Sequence, residues 1–227
     1  MRCALLLLAA TAAWLAPGVP AQSGDLAANG AQFRVPVASM KELRFQKTLR
    51  QQYDFSCGSA ALATLLTHHY GKPADEVVVF ERMFQAGDQP RIKREGFSLL
   101  DMQRLLASVG MRADGFALPL QKLAEAKVPA IVLVSTNGYN HFVVIKGLDE
   151  SRVLVGDPAS GTRAIARGEF ERMWTSKLLF VIHDWNGPVR FNEAADWNVA
   201  PAAPLAEGID RQGLDWLTLP KHGPGDF

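Results

Sequence analysis

Arg50–Tyr70 reads RQQYDFSCGSAALATLLTHHY. Its second half, Ala60–Tyr70, is rich in alanine and leucine, strong helix formers, and stops at Gly71, a residue suited to ending a helix. Leu62, Leu65, Leu66 and His69 recur at helical spacing, so one stripe of the helix faces a core. The helix is expected to begin at or just after Cys57. A cysteine placed there meets unpaired backbone N–H groups and the positive end of the helix dipole, which favour the thiolate, the nucleophilic form of sulfur. Gly58 is expected to let the chain turn tightly and a substrate approach. Position alone supports equally a small buried hydrophobe at a helix start.

Working outward, Lys72–Gln85 predicts a second helix and Gly87–Gly96 a charged loop. Ser98 and Asp101 have capping-box spacing, and Leu99, Met102, Leu105, Leu106 and Val109 form the apolar stripe of a third helix closed by Gly110. Met111–Leu118 predicts a strand, and Pro119 starts a short helix over Leu120–Ala126. From Pro129 the pattern turns to strands: Ala130–Ser135, His141–Leu148, Arg152–Gly156, Thr162–Ala166 and Leu178–Ile182, with a short helix at Glu169–Trp174. Helices in front and an antiparallel sheet behind give an α+β fold, not alternating βαβ.

The chain has 227 residues and a mass of 24.8 kDa, with 48% hydrophobic and 21% charged residues. That composition suits one globular domain with appendages. A formal net charge of +1 provides no bulk electrostatic footprint for nucleic acid or an anionic membrane. Two cysteines exclude a four-thiolate zinc site and a disulfide-dense scaffold. Met1–Gln22 (MRCALLLLAATAAWLAPGVPAQ) has one cation, an apolar run and small residues before Gln22, the layout of a secretory signal peptide over 1–21. The protein is therefore expected to be exported, to the periplasm first and outside the cell as the alternative, with no transmembrane domain after cleavage. Residues 22–40 read as a loose arm with a short strand near Phe33–Val37, 41–183 as the catalytic-type domain, and 184–227 as an irregular Pro- and Gly-bearing extension. Cleavage removes Cys3 and leaves Cys57 the only thiol in an oxidising compartment, which tilts it toward reactivity.

Such a sulfur needs a base. Of five histidines, His68 and His69 lie late on the cysteine helix, His222 sits in the tail and His183 ends a strand. His141 opens a strand after a turn, rigid yet reachable. If the hairpin that follows centres on Asp149, His141 and Asp157 stand directly opposite each other, with Cβ atoms about 4.5–5.5 Å apart. A carboxylate there would fix the imidazole tautomer, although Gly-Asp-Pro is also ordinary turn chemistry. Asp149 is the competing carboxylate but lies in the turn. Gln51 or Gln52 could donate an amide N–H to a developing oxyanion beside the Cys57 amide.

Gln51-x5-Cys57-Gly58-x-Ala60-Ala61-Leu62-Ala63, His141-Phe142-Val143-Val144 and Val155-x-Asp157-Pro158 together resemble the bacteriocin-processing double-glycine cysteine peptidases, over roughly Arg50–Ile182. The resemblance implies a papain-like fold with Cys57 as nucleophile, His141 as general base and acid, Asp157 as orienting carboxylate and Gln51, rather than Gln52, in the oxyanion hole. It implies no metal and no organic cofactor. Without an exporter's membrane bundle or nucleotide-binding motif, the chain resembles the exported stand-alone members, some of which accompany secretion systems for functional amyloid or other surface proteins. The expected partners are a polypeptide substrate and components of such a secretion or surface-fibre system, with no nucleic acid. The alternative is a module that binds and escorts its polypeptide without cleaving it, and acyl transfer would use the same residues.

Overall fold

The computed structural model describes residues 23–28, 31–36, 39–136 and 138–200. The expected signal segment and the tail beyond residue 200 lie outside the described residues. The chain divides into two units, one ending at Ser39 and one beginning at Met40. In the first, β1 (Ser23–Ala28) and β2 (Ala31–Pro36) pair antiparallel, with Ala28 across from Ala31 and Ser23 across from Pro36. The stretch expected to be a loose arm thus holds a hairpin.

The second unit opens with helices: α1 (Met40–Phe45), α2 (Cys57–Thr64) continuing into a π-helical turn at Leu65–His69, α3 (Glu76–Ala86), α4 (Gln89–Glu95) and α5 (Leu99–Ser108). Strand β3 (Arg112–Phe116) and helix α6 (Gln121–Ala126) follow. Then come β4 (Ala130–Thr136), β5 (Tyr139–Leu148), β6 (Arg152–Asp157) and β7 (Gly161–Ala166). Helix α7 (Arg167–Met173) and strand β8 (Leu179–His183) complete the body. The six strands form one antiparallel sheet in the order β3-β8-β4-β5-β6-β7. This is the expected α+β arrangement, helices packed on an antiparallel sheet.

The apolar runs in β4 and β5 have a direct cause. Successive strand residues point to opposite faces, and both faces are covered. Phe142 and Val144 of β5 pack with Leu62, Met83, Met102 and Leu106 from the helices. Val143 and Ile145 pack on the other side with Val153, Val155, Ile165 and Phe170.

Caps account for two differences from the sequence expectation. Helix α3 starts four residues later than Lys72, because the Asp75 side chain accepts from the Val77 and Val78 amides and sets the first turn there. The expected loop Gly87–Gly96 contains α4, capped by Asp88 on the Arg91 amide, with Pro90 in its first turn. The Ser98–Asp101 capping box forms in both directions. Over its described residues the extension after His183 is irregular, with a 3-10 turn at Ala194–Val199.

Candidate active site

Cys57 is the first residue of α2. The preceding turn explains its setting. Ser56 donates its hydroxyl to the Tyr53 carbonyl and accepts from the Tyr53 amide, and its own amide returns to the Tyr53 carbonyl. With its side chain turned back, Ser56 does not cap the helix. The first N–H groups of α2 are therefore left uncapped by a side chain around the sulfur. Gly58 plays a different part from the one expected. A Cβ there would lie 2.9 Å from Phe97 Cβ, 3.0 Å from Met102 Cε and 3.6 Å from Phe142 Cδ2. It is glycine because α2 is pressed against the core, and this contact sets Cys57 next to β5.

His141 arrives from β5, where it pairs with Val134 of β4. Its Nε2 lies 2.8 Å from Asp157 Oδ1. The pair is not directly opposed as expected. Near the turn, Gly147 faces Leu154 and Leu148 faces Val153, but farther out Ile145 faces Val155 and Val144 faces Gly156. Lys146 is thus the extra residue of a β-bulge. One more step of the outer ladder puts Asp157 across from Val143. Val143 and His141 share a face by alternation, so Asp157 meets the imidazole diagonally, a separation a side-chain pair can span.

Asp157 also shapes the β6–β7 turn. Oδ1 accepts from the Ala159 amide at 2.8 Å, and Oδ2 from the Ser160 hydroxyl at 2.8 Å and Arg163 Nη2 at 3.4 Å. Asp157 therefore bonds to His141 and shapes its own turn at once. Asp149, the competing carboxylate, is committed to its own turn, accepting from Ser151 and Arg152.

Burial opposes charge on Asp157, but the hydrogen bonds from His141 and Ser160, the imidazolium charge and the Ala159 amide outweigh it and hold the carboxyl well below the usual range. Burial likewise opposes charge on His141. The hydrogen bond to Asp157 and the nearby Cys57 and Asp157 overcome it, and the imidazole pKa is pushed up to about 9. An ionised Asp157 can only accept, so Nε2–H is the donor and Nδ1 is the nitrogen left for the thiol. Nδ1 is buried and has no hydrogen-bond partner.

Gln51 is half-buried and Gln52 exposed. The Gln51 amide donates to the Pro158 carbonyl at 3.1 Å, tying its loop to the residue after Asp157. Its side-chain Nε2 donates to the Tyr53 carbonyl at 3.1 Å, which leaves one of its two N–H groups unused by that bond. His69 is buried in the core, with Nδ1 2.6 Å from the Arg190 carbonyl, and His183 binds Asp114 on the surface. Tyr139 is a residue the sequence reading missed. Its ring lies 6.1 Å from that of His141, and its hydroxyl donates to the Asp54 carbonyl at 2.9 Å. Its place two residues before His141, on the same strand face, was the available signal. Ser160 was likewise legible as the fourth residue of an Asp-initiated turn. Among the described residues, no three His, Cys, Asp or Glu side chains are grouped to hold a metal ion, and no helix is long and apolar enough to cross a membrane.

Residues 46–185 match the Peptidase C39 family. The chain belongs to that family. This C39 protein is a cysteine peptidase. It is 41% identical over 178 residues to the probable functional amyloid protease FapD of Pseudomonas aeruginosa, covering 78% of this chain and 76% of that protein. It is 38% identical over 184 residues to the FapD of Pseudomonas fluorescens, covering 79% and 77%. The peptidase domain of Streptococcus ComA, a bi-functional ABC transporter, superposes with a TM-score of 0.51 at 20% identity, over 63% of this chain and 98% of that domain. That likeness establishes the C39 peptidase's papain-like fold.

Proposed function

We propose that this peptidase cleaves an exported or surface polypeptide through Cys57, His141, Asp157 and Gln51. The observation that carries the reading is the His141–Asp157 pair at 2.8 Å, which leaves the buried, unpaired Nδ1 as the nitrogen available to a sulfur at a helix start. The Cys57 thiolate attacks the scissile carbonyl carbon. The Cys57 amide and the second N–H of Gln51 stabilise the oxyanion, a donor pair whose members are each worth about 3 kcal/mol in comparable sites. His141 passes its Nδ1 proton to the leaving amine. It then takes a proton from the water that hydrolyses the thioester and returns it to the sulfur.

Export is part of the proposal, with residues 1–21 as the signal segment, 41–183 as the peptidase domain and the periplasm as the compartment. The apolar run with small residues before Gln22 supports it. The names of the two Pseudomonas relatives, functional amyloid proteases, support a substrate from a functional-amyloid system. Fractionation of cells expressing the full chain should recover it, shortened at its N-terminus, from the periplasm. Incubation of that protein with a proteome-derived peptide library, read by mass spectrometry, should give cleavage that Cys57→Ala and His141→Ala abolish. Cleavage that survives in Cys57→Ala would sink the reading.

A further inference from the structure

The bulge at Lys146 decides on which side of the sheet Asp157 emerges. Continued without it, the register of Gly147 with Leu154 would set Asp157 across from Val144, on the face away from His141. A bulge leaves ladder groups unpaired and needs other partners to persist.

Those partners come from residues 190–200, beyond the stretch that matches the family. The Asn192 amide donates to the Lys146 carbonyl at 2.8 Å, and Asn192 Nδ2 to the Leu148 carbonyl at 3.0 Å. Asn192 does so at a φ of 59°, a left-handed conformation that asparagine tolerates better than most residues. Gly147 lets it approach, since a Cβ there would collide with the Asn192 side chain and backbone.

The Lys146 side chain is fully buried. Its Nζ lies 3.2 Å from Asp196 Oδ2, donates to the Lys47 carbonyl at 2.8 Å and is 3.5 Å from Thr162 Oγ1. Lys47 Nζ binds the other Asp196 oxygen at 2.7 Å. Gly156 leaves room for the lysine stem, as a Cβ would sit 3.1 Å from Lys146 Cδ. The strap is anchored at one end by reciprocal bonds between His69 and Arg190, 2.9 Å and 2.6 Å, and at the other by Arg152, which donates to the Ala200 carbonyl at 3.0 Å.

We propose that Asp196 and Asn192 are positioning residues for the His141–Asp157 pair, acting through the bulge at Lys146. The proposal rests on the triad reading above and adds that the C-terminal strap belongs to the peptidase. Removing the Asp196 charge leaves Lys146 buried beside Lys47 with no counter-ion, and the bulged residue is then pushed out of its site. A slipped ladder carries Asp157 away from the imidazole.

The test is NMR titration of His141 in the full chain, assigned by its loss in His141→Gln, together with Cys57 alkylation by iodoacetamide at pH 6. Asp196→Asn should lower the His141 pKa by about one unit or more and slow alkylation, because a displaced imidazolium no longer assists the sulfur. Asp196→Glu should recover most of both. If Asp196→Asn does not fold, Asn192→Gly, which keeps the left-handed backbone but removes the side-chain bond to the Leu148 carbonyl, should fold with a His141 titration lowered in the same direction. A wild-type His141 titration in whichever folded variant is read overturns the proposal. The titration is independent of peptide cleavage, so cleavage surviving in Cys57→Ala would remove the triad reading and leave the structural result to stand or fall separately.

Discussion

His141 and Asp157 meet diagonally across the β5–β6 ladder, joined at 2.8 Å although Val143, not His141, lies in line with Asp157. The diagonal makes the pair depend on side-chain reach as well as on register. Asp157 is held for this by the Ala159 amide and the Ser160 hydroxyl, so the carboxylate is aimed before the imidazole binds it.

Replacing Asp157 by asparagine therefore tests the aim and the charge together. Peptide cleavage should fall by about 10²–10⁴-fold, the range for a positioned acid–base group. The alkaline limit of activity should also move. With His141 pushed up to about 9, the imidazolium that protonates the leaving amine persists until pH rises through that value. Asp157→Asn should draw the limit toward the ordinary histidine range. A pH–rate profile of kcat/KM checks this, and an unmoved alkaline limit would count against Asp157 as the source of the shift. The same pairing stabilises the fold below the ordinary histidine pKa and is lost as pH rises through about 9.

Gly58→Ala tests why that glycine is there. Its Cβ would press on Phe97 and Met102, and overpacking of this kind costs about 1–3 kcal/mol. Urea unfolding should show that loss, with cleavage reduced because the first turn of α2 carries Cys57. A glycine needed only for substrate approach would leave stability unchanged.

Tyr139→Phe removes the hydroxyl bond to Asp54, which links β5 to the turn before Cys57. Cys57 is only 6% exposed and follows this turn directly, so loosening the turn should expose it more often. Loss of this exposed hydrogen bond is worth about 1 kcal/mol or less, and iodoacetamide should label Cys57 up to about fivefold faster as the turn opens more often. Unchanged labelling would show that the bond does not limit access.

Much of the site was legible because its signals are local. The helix start at Cys57, the strand at His141 and the strand end at Asp157 each follow from a short pattern. The hairpin arithmetic failed by two residues, an even number, so the shared face survived. Within Val143–Gly147 the only hints of a bulge are Lys146, a charged residue inside an apolar run, and Gly147 beside it, and the partner that would explain the lysine, Asp196, lies fifty residues on in the chain. Helix α4 was hidden by its charges, although Asp88 and Pro90 are ordinary start signals. In the N-terminal stretch Asn29-Gly30 stands between β1 and β2, a dipeptide that favours hairpins, and small polar composition masked it.

His69 links the π-helical turn to the strap and makes acid stability a separate test. Burial lowers its pKa from 6.5 to about 4, against the opposing hydrogen bond to the Arg190 carbonyl. In the unfolded chain the ring binds a proton near pH 6.5, while in the fold it stays neutral to about 4. Between those values the unfolded state holds more protons, so stability is full above the upper value and declines as pH falls through the window. The shift corresponds to roughly 3 kcal/mol at its lower end. His69→Gln keeps a side-chain donor for the Arg190 carbonyl and removes the titration. Unfolding free energies at pH 7 and pH 4 should differ between wild type and variant by about that amount, the variant losing less on acidification. Parallel losses in the two proteins would mean that His69 is neutral in the unfolded chain as well, or charged in the fold, and that the strap is held without regard to its protonation.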